Sequence, residues 1–184
     1  MNKNELKAIV EGLIDTFNIA GRESIELYER GLTIQIKEDK SPVSNGDLRV
    51  NELITKKIMG ITPNFPIVSE ETVDLTKKNK AKIFWLIDPI DGTKEYINSS
   101  PNFTVNFALI ENRLPIFGLI SQPHSGIIWY SFKGKAWKLE HKQAISNAKH
   151  IQCSSINYDK LRILSSFNHR STELDNWISI AKPI

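Results

Sequence analysis

Asp88-Pro89-Ile90-Asp91-Gly92-Thr93 sets two carboxylates three residues apart, with a proline between them and a glycine after them. Pro89 fixes its own φ, and Gly92 lets the chain turn sharply, so both acids can project from one tight turn. Hard cations such as Mg²⁺ take oxygen ligands, usually only a few carboxylates, and leave places for water and phosphate. A carboxylate shared between two ions about 4 Å apart is a common way to build a two-metal phosphatase site. Gly92, Thr93 and Lys94 add backbone N–H groups and one ammonium that could meet a phosphate, above all if a helical turn begins there. The plainer reading is equally available at this point: Asp-Pro and Asp-Gly are common turn dipeptides, so the string can be punctuation after a strand.

Two other acidic positions carry the same ambiguity. Glu70 follows the short apolar run Pro66-Ile67-Val68-Ser69, where a sheet edge could present it, yet paired glutamates such as Glu70-Glu71 are usually solvated. Asp47 stands at the start of a helix, where the macrodipole alone favours an acid.

The elements that would position these residues are legible from periodicity. Leu6, Ile9, Val10, Leu13, Ile14 and Phe17 recur at helical spacing, Ala20, Ser24, Leu27 and Tyr28 continue the stripe, and Gly31 ends it. Thr33 to Lys37 alternates as a strand, the first half of a hairpin or an edge, and Asp39 to Pro42 has loop chemistry. Ser44 with Asp47 three residues on has the form of a capping box. The helix behind it carries Val50, Leu53, Ile54, Lys57 and Ile58 on its apolar face and is expected to close at Gly60. Phe84 to Ile87 reads as a buried strand ending at Asp88. Strands at 103–110, 116–121, 127–132 and 136–139, separated by turn signals, make an antiparallel meander. The expected fold class is α+β layered, two long helices on an antiparallel sheet. The pattern changes near Ala148. Residues 1–148 read as an N-terminal α+β metal-binding domain. Residues 149–184 read as the incomplete start of a C-terminal α/β domain, with a strand at Leu161 to Leu164 and a helix from Ser171.

Bulk composition excludes several classes. Hydrophobic residues are 40% and charged residues 24%, an ordinary globular balance, and a net charge of +3 without a long block of like charge does not suggest a nucleic-acid polymer as partner. Glu5, Glu11 and Asp15 interrupt the apolar stretch a signal peptide needs, and Ile83 to Ile87 is too short to span a bilayer. The single cysteine, Cys153, cannot form an internal disulfide; it fits a reducing, cytoplasmic compartment and is expected to be a small buried hydrophobe. The lysines at 77, 78, 80 and 82 read as a solvated loop, and His124 as a solvated turn residue. Trp129 and Trp137 read as sheet-face packing.

Taken together in order, Lys40-Ser41-Pro42-Val43 with Asp47, Val68-Ser69-Glu70-Glu71, Trp85 to Tyr96, Phe103-Thr104-Val105-Asn106 and Gly134-Lys135-Ala136-Trp137 resemble the inositol monophosphatase superfamily, and within it the 3′(2′),5′-bisphosphate nucleotidase branch. The resemblance implies a Mg²⁺-dependent phosphatase that takes the 3′-phosphate from 3′-phosphoadenosine 5′-phosphate, a by-product of sulfate assimilation, giving AMP. An inositol- or sugar-phosphate phosphatase, and a non-catalytic metal- or nucleotide-binding remnant, are the alternatives. By resemblance, Glu70, Asp88 and the Ile90 carbonyl hold a first Mg²⁺, and Asp88 and Asp91 contribute to a second. Asp47 and Thr93 orient and deprotonate the attacking water. Glu70, Asp91, Gly92, Thr93, Lys94, Ser166 and His169 face the substrate, although Phe167 and Asn168 depart from the branch's usual arginine and serine. The family also carries a downstream Trp-Asp segment whose aspartate completes the second metal site. Asn176-Trp177-Ile178 is no substitute, because the acid after the tryptophan is absent. The expectation is an N-terminal portion of such an enzyme, with an under-coordinated second metal site, weak or no activity alone and a tendency to associate.

Overall fold

The computed structural model describes residues 3–73, 80–132, 134–157, 159–165 and 170–181. It divides into two compact units, Met1–Ile151 and Gln152–Ile184.

In the first unit, helix α1 (Lys3–Arg30) buries Ile9, Val10, Leu13, Ile14, Phe17 and Ala20, the stripe its spacing predicts. Full burial of each larger side chain contributes about 1.5–3 kcal/mol before the entropy of ordering it. Gly31 follows at φ +98°, a left-handed position that stops the helix at little steric cost. Strands β1 (Ile34–Ile36) and β2 (Pro42–Ser44) form a separate antiparallel hairpin, so Pro42 opens a strand rather than belonging to the loop. Helix α2 (Asn45–Ile61) starts from Ser44, whose hydroxyl accepts from the amides of Gly46 and Asp47 while Asp47 accepts from the Ser44 amide: both halves of the capping box form. It runs through Gly60 and closes at Thr62, whose N–H donates to the Ile58 carbonyl at 2.7 Å.

Seven strands form one sheet in sequence order: β3 (Ile67–Ser69), β4 (Ile83–Asp91), β5 (Thr104–Glu111), β6 (Leu114–Gln122), β7 (Ile127–Phe132), β8 (Lys135–Leu139) and β9 (Lys149–Ile151). From β4 onward every pairing is antiparallel, but β3 pairs parallel to β4, so the sheet is mixed. A parallel neighbour needs a crossover between the two strands. Helices α1 and α2 cover one face. Phe107 is the centre of the aromatic core there, with ring centroids 4.5 Å from Phe17, 5.2 Å from Trp85 and 5.3 Å from Phe117. Trp85 Nε1 donates to Thr62 Oγ1 at 2.9 Å, which satisfies the one polar atom it buries. On the opposite face Leu86 and Ile120 stay 45% and 46% exposed. Trp137 stacks on Tyr130 at 5.3 Å, the packing role expected of it.

The sheet departs from simple alternation at one place. Asp88 stands opposite Asn106 and Asp91 opposite Thr104, so β4 uses three steps where β5 uses two. That extra residue is a β-bulge. Pro89, which has no N–H to give to a ladder, lies inside it. Consecutive Pro89 and Ile90 are both buried, which a regular strand does not allow. The expectation that the strand stops at Asp88 therefore fails: it continues, bent, to Asp91. Helix α3 (Thr93–Ile97) follows, entered through Gly92 at φ +93°.

The second unit contains helix α4 (Thr172–Ala181), close to where it is expected. Residues 161–164 form no strand. Leu164 is fully exposed, and within this unit the described residues provide no neighbouring strand; an apolar run without a ladder partner does not hold a pleat. Cys153 is exposed, against the expectation of burial.

Candidate metal centre

The bulge does the positioning. In a regular strand residues three apart point to opposite faces; the extra residue reverses that parity, so Asp88 and Asp91 turn towards one region. Glu70 arrives from the adjacent strand: its N–H donates to the Ile87 carbonyl at 3.0 Å, immediately past β3 and beside Asp88. Three acidic side chains therefore influence one another. Burial, then the charges of Glu70 and Asp91 and a hydrogen bond with the Glu70 carboxyl, push Asp88 up to about 7. Asp88 Oδ1 is buried without a hydrogen-bond partner, and so is Oδ1 of Asn106, its register partner. The Asn106 amide donates instead to Asp91 Oδ2 at 3.0 Å, holding that carboxylate beside the strand.

Asp47 and Thr93 meet from the other side. Asp47 is wholly buried on the first turn of α2, and its two oxygens do different work. Oδ2 accepts from the Ser44 amide at 2.8 Å and hydroxyl at 2.5 Å. Oδ1 lies 3.3 Å from Thr93 Oγ1, which is also 3.1 Å from the Ile90 carbonyl oxygen. The Thr93 hydroxyl has one proton and two acceptors for it, and its own lone pairs are left for a donor.

Two residues that the motif reading did not single out complete the surroundings. Lys37, just past β1, places its ammonium 2.9 Å from Glu71 and 3.5 Å from Glu70. Burial disfavours the Lys37 charge, but Glu71 and Glu70 outweigh it and hold the ammonium above its ordinary value. Glu71, with a side chain 3% exposed, is pushed up by burial in spite of that pairing. Tyr96 anchors α3 by donating to the Ser24 carbonyl at 2.5 Å, its phenol pushed up by burial. Only the alternation of the hairpin hinted at Lys37, because the contact joins segments far apart in the chain.

The structure thus brings together Asp47, Glu70, Asp88, Ile90, Asp91 and Thr93. Lys94 is exposed on α3, and a helical turn does begin at Thr93, behind Gly92. Ser166 and His169 lie outside the described residues. Among the described residues no three His, Cys, Asp or Glu side chains are gathered closely enough to hold an ion as they stand. The donor set nevertheless fits a hard cation: it is all oxygen, one buried carboxylate oxygen lacks a partner among the described residues, and the charges of Glu70 and Asp91 both act against that of Asp88.

Comparison with known proteins identifies the family and the fold. The model of the inositol monophosphatase family matches residues 5–178. The 3′(2′),5′-bisphosphate nucleotidase CysQ of Aggregatibacter actinomycetemcomitans is 34% identical over 145 residues, 77% of this chain and 54% of that protein. The crystal structure of CysQ from Bacteroides thetaiotaomicron superposes with a TM-score of 0.68 at 25% identity, covering 93% of this chain and 67% of that one. An IMPase/NADP phosphatase complexed with Mg²⁺ and phosphate shares the fold at a TM-score of 0.60 and 18% identity, over 72% of this chain and 49% of that one. The chain spans about half the length of the curated relatives it matches. With the family match running through the helix pair, the bulged strand and the acidic turn, the chain belongs to the inositol monophosphatase family.

Proposed function

We propose that this chain supplies the metal-binding and water-activating residues of a Mg²⁺-dependent phosphatase acting on 3′(2′),5′-bisphosphorylated nucleotides, 3′-phosphoadenosine 5′-phosphate first among them. The observation that carries this reading is the unpartnered, buried Asp88 Oδ1 beside the charges of Glu70 and Asp91, two residues before Ile90, whose carbonyl meets the Thr93 hydroxyl that faces Asp47. The CysQ names of the relatives favour the nucleotide over inositol phosphates.

Glu70, Asp88, Asp91 and the Ile90 carbonyl would hold the metal. Bound there, Mg²⁺ neutralises carboxylate and phosphate charge and makes a coordinated water more acidic. The chain's own part is proton handling and orientation. The Thr93 oxygen accepts a hydrogen bond from the attacking water, and its own proton passes to Asp47 Oδ1 as the water's proton replaces it. Ser44 fixes Asp47 through Oδ2, so the free oxygen keeps its direction towards Thr93. Lys37 keeps Glu70 and Glu71 beside β1. The water oxygen forms a bond to phosphorus as the bond from phosphorus to the ribose 3′-oxygen breaks; that oxygen takes a proton from solvent water, Asp47 returns its proton to solvent, and AMP and phosphate remain.

The test has two arms. Calorimetric titration with Mg²⁺ should show saturable binding that Asp88→Asn removes; equal affinity in both chains would sink the metal centre. Phosphate release should be faster from 3′-phosphoadenosine 5′-phosphate than from inositol 1-phosphate; the reverse order would move the substrate to the inositol phosphates. Binding with no release from either substrate identifies a non-catalytic module.

A further inference from the structure

Away from the acidic centre, a recess of about 130 Å³ lies between α1, the β6–β7 turn and the turn after β8. Helix α1 presents Asn18, Gly21 and Arg22, residues three and four apart and so on one face. Ser121 comes from the end of β6, Pro123 and Gly126 from the β6–β7 connection, and His141 and Lys142 from the turn after β8. No carboxylate lines it. Arg22 and Lys142 bring two permanent positive charges, Asn18 an amide and His141 an imidazole.

Two glycines shape the recess. A Cβ at Gly21 would lie 3.3 Å from Pro123, so the missing side chain lets the helix close on the turn. Gly126, at φ +66°, lies under the His141 ring, and a methyl there would overlap the imidazole. The turn itself is tied by Gly126 N–H to the Gln122 carbonyl at 2.9 Å and by Ser125 Oγ to Gln122 Oε1 at 2.7 Å. His141 therefore rests on a fixed surface.

Several basic residues elsewhere in the chain are paired with an acid. Lys37, Arg30, Arg49, Lys138 and Arg170 each face a carboxylate within 3.5 Å. Among the described residues, Arg22 and Lys142 have no such partner. Two unneutralised charges beside one acid-free recess attract an anion, and a guanidinium with an ammonium suits a tetrahedral oxyanion better than a single carboxylate. At about 130 Å³ the recess is smaller than a pocket for a whole nucleotide and suits a phosphate-sized group.

We propose that the recess lined by Arg22, Lys142, Asn18 and His141 binds one tetrahedral oxyanion, phosphate or sulfate, free or as the terminal group of a larger molecule that stays outside. The proposal stands apart from the reading of the acidic centre and needs no metal.

The test is an amide chemical-shift titration of the ¹⁵N-labelled 184-residue chain with inorganic phosphate in excess EDTA at constant ionic strength. Saturable shifts centred on Gly21, Arg22, Gly126 and Lys142 are expected, absent with chloride. The Arg22→Gln/Lys142→Gln variant, altered only at exposed side chains, should keep its melting temperature and lose about ten- to a hundredfold in affinity. Parallel titrations with sulfate and AMP separate the sources: tighter binding of AMP means that the recess reads a phosphate carried by a nucleotide, and tighter binding of the inorganic ions means that it takes the free dianion. Shifts spread evenly over all basic surface, no saturation, or unchanged affinity in the double variant would overturn the assignment.

Discussion

Replacing Asp88 by Asn should make the metal-free protein more stable, although it removes a residue assigned to the centre of the site. In the metal-free fold the Asp88 carboxyl is pushed from 3.8 up to about 7, by burial first and then by Glu70 and Asp91. At ~1.4 kcal/mol for each tenfold, ionising it there costs at most ~4 kcal/mol at pH 8. Asp88 is only partly buried and shares its proton with Glu70, so solvent screening reduces the usable figure to about 1–2 kcal/mol. A folded-state value above the unfolded one means that the native chain binds the extra proton. This contribution is therefore fully present below about pH 4 and is lost as pH rises through about 7. Asparagine carries no charge, and its amide can donate to the unpartnered Oδ1 of Asn106 across the ladder. In EDTA at pH 8 the variant should melt about 2–8 °C above the wild type, and the gap should close as pH falls towards 4. Adding Mg²⁺ should reverse the order, because the ion stabilises only the chain that binds it. Circular dichroism melts at several pH values, with EDTA or Mg²⁺, provide the check. A variant that melts below wild type in EDTA at pH 8 would refute the claim that these carboxylates repel one another in the empty fold.

Thr93→Val keeps the shape and removes the hydroxyl facing Asp47; phosphate release should fall by about two to four orders of magnitude while Mg²⁺ affinity, measured by calorimetry, holds. Gly46→Ala drives a methyl into the Tyr96 ring at the start of α2, so thermal melts should show a loss of about 1–3 kcal/mol, and Tyr96→Phe in the same chain should recover only part of it. Lys37→Met leaves the Glu71 carboxylate buried without its ammonium. Denaturation at pH 8 should show a loss of about 1–3 kcal/mol that shrinks as pH falls and Glu71 takes up a proton.

How much of this was legible in the sequence depends on the distance over which each feature is decided. The α1 stripe, the Ser44–Asp47 box and the strand entering Asp88 are written within a few residues, and all three form. The direction of β3 is not local: three residues give no sign of whether the neighbour runs parallel. Leu161 to Leu164 has strand composition, but composition cannot supply a ladder partner, and no strand forms. The bulge at Pro89 is an intermediate case. Alternation alone sends Asp88 and Asp91 to opposite faces, and only a proline where a ladder N–H belongs signals that the count is off by one. Lys37 and Asn106 act across strands, and neither could be placed before the hairpin and the register were known.

Asp47 serves two neighbours at once. As a helix-start acid it needs no function, and as a water-activating acid it needs no cap. The geometry assigns one oxygen to each: Oδ2 to Ser44 and Oδ1 to Thr93. Under the proposed role the cap matters, because a wholly buried carboxylate held at one oxygen cannot rotate the other away from Thr93 without breaking two hydrogen bonds to Ser44. The start of α2 thus fixes the orientation of the Asp47 carboxylate, and the bulge in β4 fixes the side on which Asp88 and Asp91 lie. Two local irregularities, a helix end and a broken strand count, bring groups from three parts of the chain to one place.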